Sequence, residues 1–219
     1  MRVEDVKKIL KLVQMKDLIE DFVIKSDLSV SAVDPANVTM VRLQYYGDQL
    51  DSDIPISGSR KFLEVLSKFS DNAELTYENG LCEIVEDGQR ATIRSPSHEW
   101  MYHEDKDFGW SFDYEVEVEL DDLKKAVSNK VKEFEELYVF SGSYDALYLT
   151  VGDDEIITKK IADGNYNLKV AYGENLPKIV SVLETDPVLC LKTDYLILIK
   201  CETDEYKVEY VIAPRILEE

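Results

Sequence analysis

LSVSAVDPANVTMV, residues Leu28 to Val41, indicates most clearly how the first half of the chain folds. Runs rich in β-branched and apolar residues lie on both sides of Asp34-Pro35, a pair typical of turns. The pattern therefore predicts two strands, Leu28–Ala32 and Val38–Tyr45, joined by a short turn. Further such runs follow along the chain, so the prediction extends to a protein rich in antiparallel strands.

Four other segments have apolar residues at helical rather than alternating spacing. Each is followed by short strand-like runs, so the pattern repeats at intervals of roughly 55 residues and predicts an α+β fold with internal repetition. Turn signals such as Asn79-Gly80 and Asp87-Gly88 separate several of the strands. The predicted helices are Val3–Met15, Arg60–Phe69, a third that begins after Asp121 and runs to about Phe134, and a fourth from Asn175 to about Leu183. The other predicted strands are Asp21–Ile24, Glu74–Tyr77, Cys82–Val85, Ala91–Arg94, Glu115–Leu120, Tyr138–Phe140, Ala146–Val151, Glu155–Ile161, Tyr166–Ala171, Val188–Lys192, Leu196–Cys201 and Tyr206–Ile212.

The middle of the chain has a different character. From Pro96 to Phe112 it mixes acids, aromatic residues and Gly109 without sustained periodicity, which is typical of a connector. We therefore expect an N-terminal domain over residues 1–95, a connector over 96–112 and a C-terminal domain over 113–219.

The composition limits the possible functions. The 219 residues carry a formal net charge of -20 and a sequence pI near 4.5, so any contact with nucleic acid requires a local basic surface. The three cysteines show no CxxC spacing, which argues against a zinc site or a disulfide framework. No stretch is apolar enough to span a membrane, and no leader pattern opens the sequence. We expect a cytoplasmic protein, or a nuclear one in a eukaryote.

Three stretches resemble the PCNA family of DNA sliding clamps. They are LSVSAVDPANVTMV (Leu28 to Val41), AYGENLPKIV (Ala171 to Val180) and YKVEYVIAPRILEE (Tyr206 to Glu219), and they occur in the family's order. The resemblance implies two similar domains, each with helices on one face of antiparallel sheets. It also implies a ring, usually of three identical subunits, that encircles duplex DNA and tethers a DNA polymerase, a clamp loader and other peptide-motif partners.

The resemblance implies three groups of functional residues and no catalytic or metal-binding residue or cofactor. On the helices, the bases expected to face DNA are Lys7, Lys8, Lys11, Arg60, Lys61, Lys68, Lys124, Lys125, Lys130, Lys132 and Lys178. The apolar pocket expected to receive a partner peptide comprises Val33, Val38, Met40, Trp100, Met101, Val211, Ala213 and Pro214. The strands expected to meet at the subunit interface contribute Arg90, Ile93, Arg94, Glu155, Ile157 and Lys159.

The sequence departs from the family in three respects, one of which is a shorter chain with trimmed loops in the second domain. The first helix begins at Val3, so the strand that usually precedes it is expected to be absent, and the connector offers Trp100 and Met101 where the family has an aliphatic and acidic run. Two alternatives to a self-sufficient clamp therefore stay open. One is a clamp-derived regulatory or hetero-ring subunit that forms no closed homotrimer, and the other is an acidic adaptor that mimics DNA.

An enzyme is the least favoured class. His98 and His103 are spaced as HExxxH rather than HExxH, so the two imidazoles would not share one face of a helix as zinc proteases require. The sequence also contains no phosphate-binding GxxxxGK[ST] loop and no GxSxG nucleophile motif. We expect a binding protein.

Overall fold

The computed structural model describes residues 1–95, 109–128, 137–152 and 157–216. The chain divides into two compact units: Met1–Lys106 with Asp204–Val208, and Asp107–Thr203 with Glu209–Glu219. The change from the first unit to the second, after Lys106, falls inside the predicted connector. Because residues 96–108 lie outside the described part, the connector's limits stay a prediction.

The first unit contains two helices, α1 (Val3–Gln14) and α2 (Ser59–Leu66). Its strands are β1 Phe22–Ile24, β2 Ser29–Val33, β3 Thr39–Tyr45, β4 Ile54–Ile56, β5 Glu74–Glu78, β6 Leu81–Glu86, β7 Gln89–Arg94 and the start of β15 Tyr206–Ile212. They form small groups: β1 pairs with β4, β5-β6-β7 are neighbours in that order, and β2-β3 are followed by β15.

The second unit repeats the combination of two helices with antiparallel sheets. Its helices are α3 (Leu120–Ser128) and α4 (Asn175–Val180), which pack against each other. Its strands are β8 Tyr114–Glu117, β9 Tyr138–Gly142, β10 Ala146–Val151, β11 Ile157–Asp163, β12 Lys169–Tyr172, β13 Val188–Leu191 and β14 Ile197–Glu202. One group of strands has the order β11-β10-β9-β12, and another runs from β15 through β14 and β13 to β8.

Apolar spacing explains where the helices form. In α1 the side chains of Val6, Ile9, Leu10 and Val13 are buried along one stripe, as the sequence pattern predicts. Each fully buried aliphatic side chain contributes about 1.5–3 kcal/mol relative to an exposed one, so the stripe holds the helix on its unit. The helix ends where Met15 adopts a left-handed conformation, with φ of 44°.

Two of the predicted hairpin turns are confirmed in detail. Asn79 and Gly80 both have positive φ between β5 and β6, and so do Asp87 and Gly88 between β6 and β7. Two successive residues with positive φ characterise the type I′ turn, whose twist matches that of the flanking strands. The turn residues therefore set the register of this three-stranded group.

Several predicted boundaries were wrong by a few residues. Helix α2 ends at Leu66, so Lys68 lies beyond it, and α4 ends at Val180 rather than Leu183. Strand β12 begins at Lys169, three residues later than predicted. Helix α3 is described only to Ser128, and its predicted continuation to Phe134 lies outside the described residues.

The structure also contains pairing that the sequence did not predict. Strand β4 is a three-residue strand around Pro55, and it pairs with β1. Before α1, Arg2 forms an isolated antiparallel bridge with Glu74, and the backbone N–H of Leu75 donates to the carbonyl of Met1 at 2.8 Å. The residues that precede the helix thus occupy the position of a strand beside β5, although they form only a bridge.

The three cysteines are buried free thiols, as predicted. Burial raises the pKa of Cys82 to about 12, and burial is also the main cause of the raised pKa of Cys190. Both thiols therefore stay protonated and unreactive near neutral pH.

Candidate nucleic-acid interface

The predicted DNA-facing bases of α1 lie on its solvent side, and two of them are engaged in ion pairs. The Lys7 ammonium donates to Asp71 Oδ1 at 2.8 Å and to the Phe69 carbonyl at 3.3 Å. The Lys8 ammonium donates to both carboxylate oxygens of Glu205, at 2.7 and 2.9 Å, and these hydrogen bonds raise the pKa of Lys8. Lys11 is exposed one turn further along the helix.

The bases at α2 are more accessible. Arg60 lies 3.7 Å from an Asp17 carboxylate oxygen and 3.9 Å from one of Glu64, and its side chain is 72% exposed. Lys61 on α2 and Lys68 just after it are both exposed, and within the described ranges neither forms an ion pair. These two lysines are therefore the strongest candidates for phosphate contacts in the first unit.

The predicted bases of the second unit are fewer than expected in the described part. The Lys124 ammonium donates to the Leu183 carbonyl at 3.1 Å, and Lys125 lies 4.0 Å from Asp122. Lys178 on α4 is half-buried. Lys130 and Lys132 lie outside the described residues.

These ion pairs lower the positive potential of the helix faces without removing it. Exposed pairs contribute about 0–1 kcal/mol and are screened by salt, so a phosphate can replace the carboxylate partner of a lysine. The side chains of Asp71 and Glu205 are 67% and 51% exposed, which keeps both pairs in contact with solvent. Lysines in such exposed pairs remain available for weak, salt-sensitive contacts with an anion.

A remote carboxylate holds the start of α3. Asp186 Oδ1 accepts a hydrogen bond of 2.8 Å from the backbone N–H of Leu120, the first residue of the helix. The first N–H groups of a helix have no partner within the helix, and a side-chain acceptor there stabilises the helix by about 1 kcal/mol. Asp186 therefore helps to position Lys124 and Lys125.

The Asp186 cap leads to a testable prediction. Replacing Asp186 by alanine is expected to lower the free energy of unfolding by about 1 kcal/mol, whereas Asp186→Asn, which retains an acceptor oxygen, should lose less. Urea titration followed by circular dichroism measures both. Equal losses in the two variants would show that the cap does not depend on the acceptor.

The residues predicted to form the peptide pocket belong to both units. In the first unit Val33 on β2 lies opposite Met40 on β3, both half-buried, and Val38 is 38% exposed just before β3. Trp100 and Met101 lie outside the described residues.

In the second unit, the predicted pocket residues belong to the end of the chain. Val211 is buried on β15, while Ala213 and Pro214 are half-buried beyond it. The backbone N–H of Arg215 donates to the Ala171 carbonyl at 2.8 Å, which fixes this tail beside β12.

The strands predicted to meet at the subunit interface are both terminal in their groups as far as the structure describes them. On β7, Arg90 forms an ion pair with Glu83, Ile93 is half-buried and Arg94 is exposed. On β11, Ile157 is 41% exposed, and the Lys159 ammonium lies 2.7 Å from Asp122 Oδ1. Glu155 lies outside the described residues.

A groove beside β11 was not predicted. It has a volume of about 650 Å³ and lies between β8, the start of α3 and β11. The alternating acids of Glu115-Val116-Glu117-Val118-Glu119 could have indicated it, because alternation places such side chains on one face of a strand. Its charged lining residues are Glu115, Glu117, Glu119, Asp122, Lys160 and Asp163.

The described residues contain neither a metal-binding cluster nor a membrane-spanning helix. Among them no group of three or more His, Cys, Asp or Glu side chains is placed to hold a metal ion. None of the described helices is long and apolar enough to cross a membrane.

This chain resembles known proteins in its structure. No protein-family model matches the sequence, and no curated protein matches it. A structure of the C-terminal region of FEN-1 bound to A. fulgidus PCNA superimposes with a TM-score of 0.81 at 17% identity, covering 100% of this chain and 98% of that one. PCNA from Thermococcus kodakaraensis has a TM-score of 0.76 at 18% identity, with 98% of each chain covered.

A third solved structure is a complex of two different clamp chains. The PCNA2–PCNA3 complex from Sulfolobus tokodaii gives a TM-score of 0.74 at 14% identity and covers 96% of this chain and 97% of that chain. All three matches extend over nearly the whole of both chains. The α+β prediction is therefore confirmed, and the chain has the fold of the PCNA sliding clamps.

Proposed function

We propose that this protein is a sliding clamp, a DNA polymerase processivity factor that encircles duplex DNA. The observation that carries the proposal is the match of the whole chain to a PCNA structure, with a TM-score of 0.81 and 98% of the other chain covered. Each unit contributes a pair of helices and its own antiparallel sheets. The match therefore includes the helices and sheets of both units.

The distribution of bases supports a sliding contact with DNA. Lys11, Lys61 and Lys68 lie exposed on or beside the helices of the first unit, while the whole chain has a net charge of -20. A local basic surface on an acidic protein binds phosphates weakly and without sequence preference, which allows movement along the duplex.

We further propose that the clamp tethers peptide-motif partners such as a polymerase or a clamp loader. One structural neighbour was solved with the C-terminal region of FEN-1. In this chain Val38 and Met40 provide accessible apolar surface in the first unit, and Ala213 and Pro214 provide it in the second. Such side chains can receive the aromatic and aliphatic anchors of an extended peptide.

A second candidate function is a subunit of a mixed ring or a clamp-derived regulator. The S. tokodaii structure contains two different clamp chains. In this chain Lys7 and Lys8 form ion pairs with Asp71 and Glu205, and these pairs lower the positive potential of α1. The acidic DNA mimic is less well supported, because it leaves the bases on the helices unexplained.

Threading onto a blocked duplex tests the clamp proposal. A linear duplex is fixed to a bead at one end, the protein is added, and the free end is then closed with a bulky bound protein. A closed ring should survive a high-salt wash only on the blocked duplex and should leave when the block is cut away. Loss in high salt from blocked and open duplexes alike would contradict the proposal and favour a regulator.

A further inference from the structure

One face of the three-stranded group β5-β6-β7 is open to solvent. Successive side chains of a strand point to opposite faces, and on one face Leu75, Cys82 and Ile84 are buried. On the opposite face the residues of β5 and β7 are exposed, and Val85 in the middle strand is 57% exposed. We call this second face the outer face and define it by Glu74, Glu78, Leu81, Val85, Arg90 and Arg94.

The outer face has acids along one edge and bases along the other. Strand β5 carries two glutamates and no base, whereas β7 carries two arginines and no carboxylate. Cross-strand pairing aligns these residues in two rows, each of which contains an acid, an aliphatic residue and a base. The rows are Glu74, Val85 and Arg90, and Glu78, Leu81 and Arg94. The charge therefore changes from negative to positive across the sheet in both rows.

Most of these charges are not neutralised within the described part of the chain. Arg90 forms an ion pair with Glu83, which lies on the same side of β6 between the two rows. Among the described residues, Glu74, Glu78 and Arg94 form no ion pair. These three side chains are exposed and keep their charge available for a partner.

A second copy of the outer face offers the opposite charge at each of these positions. A two-fold axis that runs parallel to the strands above β6 places β5 of one copy over β7 of the other, and each row then meets the same row. Val85 faces the partner's Val85 at the axis, and Glu78 faces the partner's Arg94. A two-fold axis across the strands would instead place glutamates over glutamates. Two sheets pack in the first way with their strands aligned within about 30°.

We propose that the outer face of one copy of this chain packs on the outer face of a second copy around a two-fold axis parallel to the strands. The contact uses side chains on one face of the sheet, so it is separate from any main-chain pairing at the edge of β7. Glu83 approaches the partner's Glu83 near the axis, and its ion pair with Arg90 limits that repulsion. The opposite charges in the two rows favour the chain itself as the partner.

The size of the outer face predicts a weak contact. Three strands of five residues cover a surface about 14 Å wide and about 17 Å long, which is smaller than the roughly 800 Å² per partner of a stable interface. The net charge of -20 also opposes the approach of two copies at long range. We therefore expect association at high protein concentration, where a covalent cross-link can capture it.

Cross-linking through position 85 tests the contact in the full chain. Val85→Cys places a thiol beside the two-fold axis, while the three native cysteines are buried. A bismaleimide that spans about 10 Å, the separation of two packed sheets, should join two copies of this variant into a covalent dimer. Val38→Cys is the matched control, since Val38 is an exposed valine of the same unit outside β5-β6-β7. It should give only the background yield of dimer, measured by denaturing gel electrophoresis.

Exchanging the charges tests the arrangement of the rows. In the Val85→Cys background, Glu74→Lys/Glu78→Lys should lower the yield of dimer about 10- to 100-fold, and so should Arg90→Glu/Arg94→Glu. A mixture of the two charge variants, one of which carries a mass tag, should recover the yield as mixed dimers, because every contact between unlike copies again joins opposite charges. Such recovery also excludes misfolding, since two unfolded chains cannot regain a specific contact.

Three results would overturn the inference: a yield for Val85→Cys no higher than for Val38→Cys, a yield unchanged by either pair of charge substitutions, or a mixture that recovers no mixed dimer. The outcome is independent of the clamp proposal. A ring that joins β7 of one copy to β11 of the next brings two unlike strands together, so it does not place two residues 85 side by side. Retention on blocked duplex without the cross-link would leave the clamp and remove the face contact, and the reverse result would do the opposite.

Discussion

Replacing Phe140 by alanine is expected to lower the free energy of unfolding by about 3–5 kcal/mol. Phe140 is fully buried on β9, which lies between β10 and β12 in its sheet. The rings of Phe140 and Tyr172 pack edge to face, with a centroid separation of 5.8 Å. The substitution removes both the buried apolar area and this aromatic pairing, and it leaves a cavity that strands on both sides cannot readily close.

Urea unfolding followed by circular dichroism measures this loss, with Tyr144→Ala as the matched aromatic control. Tyr144 is 93% exposed between β9 and β10, so its replacement should change the free energy by no more than about 0.5 kcal/mol. Similar losses in the two variants would show that the core of the second unit is not centred on Phe140.

Removing two exposed lysines of the first unit is expected to give the largest functional effect. In the variant Lys61→Ala/Lys68→Ala, the dependence of log affinity for duplex DNA on log salt should become shallower by about 0.9 for each phosphate that is no longer neutralised. The reason is that each lysine bound to phosphate releases condensed counterions. Fluorescence anisotropy of a labelled duplex, titrated at several salt concentrations, measures the slope directly.

The control removes the same charge from strands. Lys169 on β12 and Lys207 on β15 are exposed, so Lys169→Ala/Lys207→Ala makes the whole protein equally more acidic. We expect this variant to keep the wild-type slope, since its lysines lie off the helices. If both double variants lowered the slope equally, the effect would come from overall charge, and the helices would lose their assignment as the DNA-facing surface.

Much of the fold could be predicted because its signals are local. The apolar stripe of α1 and the Asn79-Gly80 and Asp87-Gly88 turns each lie within a few residues, and the structure confirms them. Strand β4 could not be predicted in this way. Its three residues include Pro55, which is unfavourable within a sheet, and it exists because β1 supplies the partner.

The state of the candidate DNA-binding bases depends on contacts between distant parts of the chain. Lys7 and Asp71 are 64 residues apart, and Lys8 and Glu205 are 197 residues apart. A sequence pattern shows that these lysines lie on the polar side of a helix, but it does not show which carboxylates face them.

The sequence alone predicts the α+β class, the approximate positions of the helices and most strands, the tight turns and the burial of the cysteines. These features follow from the periodicity of apolar residues and from backbone preferences within one element. The tertiary structure was needed to show that Asp186 caps α3 and that carboxylates engage the two lysines of β11. Charge interactions fall off within about 10 Å through space regardless of separation along the chain, so the fold must form before they can be assigned.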